Sequence, residues 1–144
     1  MNSATAEQEI HAVLDRWTRA AGKKDLDAIV ACYAPDVRAF DAIARLEFRG
    51  VEAYRKHWEY CLGLMDGEML FEIHEPDTTV RDDIAFCHFL ARCGGTDRGG
   101  KEQAAWTRGT VCLQKSGGRW LIVHEHYSMP FDVDTMKILD KLEP

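Results

Sequence analysis

The chain has no C-x-x-C pair, no long apolar run and no excess of basic residues. Its five cysteines (Cys32, Cys61, Cys87, Cys93, Cys112) are odd in number and widely scattered. That argues against a disulfide framework and for a reducing, cytoplasmic setting, with the thiols acting as small hydrophobes. No stretch approaches the ~20 apolar residues of a membrane span. The opening MNSATAEQEI holds two acidic residues and neither a basic nor an apolar region, so it does not read as a secretory leader. With 18 Lys+Arg against 24 Asp+Glu the net charge is −6, which disfavours nucleic acid and anionic lipid as partners. No G-x-S-x-G elbow occurs, so a hydrolase triad has no support. Repeats, linkers and low-complexity segments are absent as well.

What is present is the composition of one folded domain. The 144 residues are 46% apolar and 29% charged, which excludes wholesale disorder and collagen-like structure. A chain of this length buries roughly two-thirds of its unfolded surface.

Ile10, Val13, Leu14 and Trp17 follow the i, i+3, i+4, i+7 rule and predict a first helix. Thr5 with Gln8 offers a capping box at its start, and Gly22 suits its end. Asp25 caps a second helix with Leu26, Ile29, Val30 and Tyr33 as its stripe, stopped by Pro35. Short strands are expected at Val37–Asp41 and Leu46–Arg49. Gly50 introduces a third helix with Val51, Tyr54, Trp58, Cys61 and Leu62 on its apolar face. Met69, Phe71 and Ile73 then alternate as in a half-buried strand, broken at Pro76–Thr78. Strands follow at Ile84–Cys93, Gln103–Lys115 and Arg119–Met129, and a last helix turn at Thr135–Leu142. Helices segregated from an antiparallel meander indicate α+β.

The glycine-rich loop 94–100 precedes a strand, not a helix, so it reads as a hairpin loop and not as a phosphate cradle. His124 and His126, at i and i+2 on a strand, point the same way. No glutamate follows and no second His-x-His exists, so no complete metal set assembles and hydrogen-bonding roles are expected. His11, His57, His74 and His88 are scattered over other elements.

Gly117-Gly118 is a strong two-residue turn signal. It sets Ser116 opposite Arg119, hence Cys112 opposite Val123, Thr110 opposite Glu125 and Arg108 opposite Tyr127. One face then holds Trp106, Arg108, Thr110, Leu121, Glu125 and Tyr127; the other holds Val111, Leu113, Trp120, Ile122, His124 and His126. Both are rich in large side chains, so helices would cover one and a second subunit the other. Arg108, Glu125 and Tyr127 fit two readings: an ion pair fixing the sheet, or a polar cluster in a ligand pocket.

The stretches GKKDLDAIVACYAPDV, EFRGVEAYRKHW and TRGTVCLQKSGGRWLIVHEHYSMP resemble the SnoaL-like, ketosteroid-isomerase-like branch of the nuclear-transport-factor-like superfamily. The last also looks like the end of the association (hub) domain of calcium/calmodulin-dependent kinases. The resemblance implies a single domain over residues 1–144, with a core of about 6–130 and a tail at 131–144. It implies a cone-shaped α+β barrel, three helices on a strongly curved, mostly antiparallel sheet of cystatin-like kind, and a homodimer through the outer sheet face.

Position by position, Asp41 falls where ketosteroid isomerases keep their general base, eight residues after Tyr33. The isomerase's oxyanion-hole tyrosine is replaced by Trp17, its partner tyrosine by Trp58, and its acidic second donor by Thr110, a pattern that argues against steroid isomerisation itself. The implied pocket holds Trp17, Tyr33, Asp41, Trp58, Trp106, Arg108, Thr110, Glu125 and Tyr127. One expectation is a cofactor-independent isomerase, cyclase or dehydratase acting on a small cyclic or aromatic carbonyl compound. Asp41 or Glu125 would be its base, with Arg108, Thr110 and Tyr127 at the oxyanion. The other is a non-catalytic binding or assembly domain, favoured if Arg108 and Glu125 pair and fill the cavity. No cofactor is implied by either.

Overall fold

The computed structural model describes residues 3–144. Helix α1 (Ser3–Gly22) buries Ile10, Val13, Leu14 and Trp17 along one face, as its period demands. It already includes Ser3, so Thr5 and Gln8 lie inside the helix and not at its cap. In α2 (Leu26–Val30) the Asp25 side chain accepts the Ala28 N–H at 3.1 Å, the expected cap. This helix ends earlier than expected. Tyr33 opens strand β1 (Tyr33–Phe40) and does not extend the helical stripe. The helical region is disfavoured for the residue before Pro35, and Tyr33 gains a parallel pairing with Ile122. Pro35 lies where the β1 register breaks, between Tyr33 and Arg38, so its missing N–H costs no ladder bond.

Strand β2 (Phe48–Arg49) is followed by α3 (Val51–Leu62), then β3 (Asp66–Arg81), β4 (Ile84–Thr96), β5 (Glu102–Ser116) and β6 (Arg119–Ser128). The break expected at Pro76–Thr78 is a bulge instead. The β3–β4 register shifts between His74 and Asp77, and Glu75 takes φ 51°. Since β3 is an edge strand, Pro76 is tolerated there. The loop expected at 94–100 is shorter: Gly94, Gly95 and Thr96 still pair with β5, and the hairpin connection is 97–101, tightened by Asp97, whose carboxylate accepts the N–H groups of Gly99 and Lys101, both at 2.9 Å. Gly117 and Gly118 take φ 56° and 79°, as a two-residue hairpin turn requires. The tail forms no helix turn at Thr135–Leu142. It carries a single bridge, Phe131 to Ile138, with Asp132 capping the Asp134 and Thr135 N–H groups.

The six strands form one curved, unclosed sheet in the order β2-β1-β6-β5-β4-β3. Only β1–β6 is parallel. The three helices pack on its inner face, so the fold is α+β with the core between helices and sheet. Among the described residues no helix is long and apolar enough to cross a membrane.

One residue in β6 decides what the inner face contains. The turn register holds from Ser116–Arg119 as far as Leu113–Ile122, and then Cys112 pairs with His124. Val123 is thus an extra residue, a bulge, and a slip of one flips every later side chain. Past the bulge, Thr110 faces His126 and Arg108 faces Ser128, in place of Glu125 and Tyr127. Glu125 and Tyr127 therefore share the buried face with Val111, Leu113, Trp120 and Ile122. Trp106, Arg108 and Thr110 lie on the outer face with His124 and His126. Trp120 and Ile122, expected to cover that outer face, are in the core. Its exposed apolar residues are instead Ile84 (58%), Phe86 (45%) and Leu90 (36%).

Candidate functional site

A cavity of about 140 Å³ opens between α1, α3 and the inner sheet face. Its apolar wall is made by Trp17, Trp58, Met69, Phe71 and Met129, and one corner is polar, with Asp41, His57 and Cys61. Trp17 anchors the wall. It meets Trp58 edge to face at 6.0 Å and Phe71 at 4.7 Å, and stacks on Tyr127 at 6.3 Å.

Helix α3 supplies the polar corner because its spacing puts Tyr54, His57, Trp58 and Cys61 on one face, at i, i+3, i+4 and i+7. Asp41 follows directly on β1. One of its carboxylate oxygens accepts the Ala42 N–H at 2.8 Å, and the other is hydrogen-bonded to His57 Nε2. Cys61 Sγ lies 3.5 Å from the same nitrogen. The His57 ring is held by stacking on Phe48, with centroids 4.1 Å apart. Burial, and then the Asp41 charge, push the Cys61 thiol up to about 12, so it is a thiol in this corner.

One layer deeper lies a hydrogen-bond network centred on Glu125, which is 0% exposed. Trp17 and Trp58 donate their indole N–H groups to the Tyr33 hydroxyl, at 2.9 and 3.2 Å. Tyr33 in turn donates to Glu125 Oε1 at 2.8 Å, and Tyr54 donates to the same oxygen. Burial pushes the Glu125 carboxyl up to about 8, against the lowering effect of the two tyrosines. Near neutrality it is therefore largely a neutral acid, which avoids the cost of an unpaired buried charge. Two buried polar atoms have no partner among the described residues: Glu125 Oε2 and the Tyr127 hydroxyl. Leaving such a group unmet costs ~1–3 kcal/mol. Tyr127 lies on the cavity wall, with its hydroxyl buried. The Tyr127 ring packs so tightly over β5 that a Cβ on Gly109 would come within 2.8 Å of it.

Of the residues expected in a pocket, the fold brings Trp17, Asp41, Trp58 and Tyr127 to the wall and Tyr33 and Glu125 just behind it. It does not bring Trp106, Arg108 or Thr110. Arg108 is exposed and donates to Ser128 Oγ at 3.1 Å, and Trp106 packs edge-on against His74. No Arg108–Glu125 pair exists, because the Val123 bulge sets the two on opposite faces. Tyr54, His57 and Cys61 are site residues that the sequence reading missed. His57 was separable from the other histidines by one signal, its place within the apolar stripe of α3. His124 donates its Nδ1–H to the Arg38 carbonyl at 2.6 Å and flanks Phe40 with His126.

A family model for the SnoaL-like domain matches residues 10–132. An NTF2-like protein of unknown function from Pseudomonas putida KT2440 is 42% identical, covers 99% of both chains and superposes with a TM-score of 0.91. An NTF2-like superfamily protein from Salmonella enterica serovar Typhimurium is 21% identical over 92% of this chain and 96% of its own, with a TM-score of 0.80. The association domain of the C. elegans calcium/calmodulin-dependent kinase II is 19% identical over 87% and 96% of the two chains, with a TM-score of 0.71. The last two likenesses speak for the fold alone. No curated protein matches the chain. With the family model spanning most of the chain and the same curved sheet carrying the same three helices, this protein belongs to the SnoaL-like domain family of the nuclear-transport-factor-like superfamily.

Proposed function

We propose that this SnoaL-like domain binds a small, largely apolar cyclic or aromatic carbonyl compound and moves a proton on it, with Asp41 as the base. The observation that carries this reading is a carboxylate–imidazole pair, Asp41 and His57, at the polar corner of an otherwise apolar cavity, with Tyr127 on the same wall. Each element has a chemical job. Asp41 takes the proton, and His57 beside it donates to the carboxylate and holds it in place. Tyr127 donates to the oxygen on which negative charge develops. The size fits as well, since an apolar cavity of ~150 Å³ admits one benzene ring. Glu125 suits a supporting role better than that of base. It is fully buried, off the cavity wall, and both tyrosine hydroxyls point at it.

Asp41→Asn keeps the shape and removes the basicity. In a proton-exchange screen against cyclic ketones, the variant is expected to lose turnover by ~10²-fold or more while retaining ligand binding. Near-normal turnover in Asp41→Asn would end the role of Asp41 as base.

A second reading, self-association as a homodimer, is favoured by the outer sheet face. Ile84, Phe86 and Leu90 form an exposed apolar strip on β4 that no helix covers. Stable dimer faces bury well over ~1,000 Å² in total. Sedimentation equilibrium at micromolar concentration is expected to give a species of twice 16.4 kDa, reduced to the monomer by Phe86→Glu. A wild-type protein that sediments only as monomer would refute it. Five unpaired cysteines support a cytoplasmic setting for either reading.

A further inference from the structure

The polar corner of the cavity has a geometry that proton transfer alone does not require. Three donors of different kinds, from two segments of the chain, converge there. Asp41 follows β1, while His57 and Cys61 stand one turn apart on α3, at i and i+4. One carboxylate oxygen, His57 Nε2 and Cys61 Sγ all lie within 4.8 Å of one another. The same imidazole nitrogen faces both other donors. It is hydrogen-bonded to Asp41 Oδ2 and lies 3.5 Å from Cys61 Sγ. In a tetrahedral zinc site, with Zn–N of ~2.0–2.1 Å and Zn–S of ~2.3 Å, the nitrogen and sulfur stand about 3.5 Å apart. The histidine and cysteine are thus already at the separation that one ion would impose.

We propose that Asp41, His57 and Cys61 form a binding site for one divalent transition-metal ion of the zinc or cobalt type, whose remaining coordination position opens into the cavity. The donor set selects that class. Thiolate and imidazole with one carboxylate suit borderline-soft ions, whereas magnesium and calcium want oxygen throughout. Three protein ligands with one open position is the pattern of a site that keeps room for a water or a substrate oxygen. The outer supports that fix metal ligands are in place too. The Ala42 N–H holds the second oxygen of Asp41, and Phe48 holds the His57 ring by stacking.

On binding, the ion takes the place of the Asp41–His57 hydrogen bond. The proton that His57 Nε2 donates to Asp41 leaves that nitrogen, and the neutral ring, with its one proton on Nδ1, offers the Nε2 lone pair to the ion. The Cys61 thiol releases its proton to solvent and binds as thiolate. Because Asp41 becomes a ligand, metal occupancy and proton abstraction by Asp41 exclude each other. The site itself does not rest on the proton-transfer reading, since the ion needs only the three donors.

The test is cobalt titration of the chelator-treated full chain, followed by absorption. The wild type is expected to take up one Co²⁺ with a thiolate-to-cobalt charge-transfer band in the near ultraviolet, bleached by Zn²⁺. Cys61→Ser should remove that band, and Cys93→Ser, at the other cysteine of the cavity, should keep it. Asp41→Asn should keep the band and weaken cobalt binding by more than the roughly tenfold that an outer-shell change costs. Failure of the wild type to develop the band at millimolar Co²⁺ would overturn the proposal, whatever the variants do. So would a band that survives Cys61→Ser, or a cobalt affinity untouched by Asp41→Asn. None of these readouts depends on turnover, so they stand or fall apart from the role of Asp41 as base.

Discussion

Glu125 makes the stability of this domain depend on pH in a direction opposite to that of most carboxylates. Its pKa is pushed from 4.5 up to about 8 in the folded protein, chiefly by burial. Below about pH 4.5 it is protonated in both folded and unfolded chains and costs nothing. As pH rises from there, the unfolded chain releases the proton while the folded one retains it. Folding stability then falls by about 1.4 kcal/mol per pH unit, roughly 5 kcal/mol by pH 8, after which the loss levels off. Against a total of ~5–15 kcal/mol for a domain, that is a large share. Glu125→Gln isolates the effect. It keeps a side-chain oxygen for the Tyr33 and Tyr54 hydroxyls and removes the titration. Urea unfolding followed by tryptophan fluorescence, at several pH values from 4.5 to 9, gives the stability of each protein. The difference between them cancels every other titrating group. The two are expected to be similar at pH 4.5, with the variant more stable by several kcal/mol at pH 9. A difference that stays constant across the range would refute a buried, proton-retaining Glu125.

Two further outcomes follow from the same layer of the structure. Trp58→Phe keeps the ring but deprives the Tyr33 hydroxyl of one donor, and is expected to cost about 1 kcal/mol in urea unfolding and to weaken binding of a flat ligand; unchanged affinity in both Trp17→Phe and Trp58→Phe would end their role in stacking. Gly109→Ala puts a methyl 2.6 Å from the Phe89 ring and 2.8 Å from that of Tyr127, an overpacking worth ~1–3 kcal/mol that also shifts the Tyr127 hydroxyl; a variant as stable as wild type, with ligand affinity intact, would contradict so close an approach.

How far the sequence could be read depended on whether a feature was local. The stripe Ile10–Val13–Leu14–Trp17 and the Gly117-Gly118 turn are local patterns, and helix α1 and the β5–β6 hairpin form where they predict. The end of α2 is a contest that no local rule settles. Tyr33 continues the helical stripe, yet the pairing with Ile122, nearly 90 residues on, draws it into a strand. The polar face was lost at a single residue. A bulge is often marked by glycine or by a positive φ, but Val123 is an ordinary β-branched strand residue with neither. Alternation could not reveal the slip, because both faces carry large side chains: Trp106, Leu121 and Phe86 outside, Trp120, Ile122 and Tyr127 inside.

The same bulge explains why chemistry is found where it is. Without Val123, Glu125 and Tyr127 would turn to the outer face beside Thr110 and Arg108, where a nearby guanidinium would favour an ionised Glu125. With it, Tyr127 turns to the cavity wall and Glu125 to the layer behind it, where the hydroxyls of Tyr33 and Tyr54 meet it and burial keeps it a neutral acid. Arg108 stays exposed to solvent on the other side of the sheet, away from Glu125. What remains at the cavity is one carboxylate, Asp41, whose neighbours come from a helix 16 residues further on. No spacing rule links a residue after a strand to His57 and Cys61 on a later helix. Their meeting is set by how β1 and α3 pack, and so it is legible only in three dimensions.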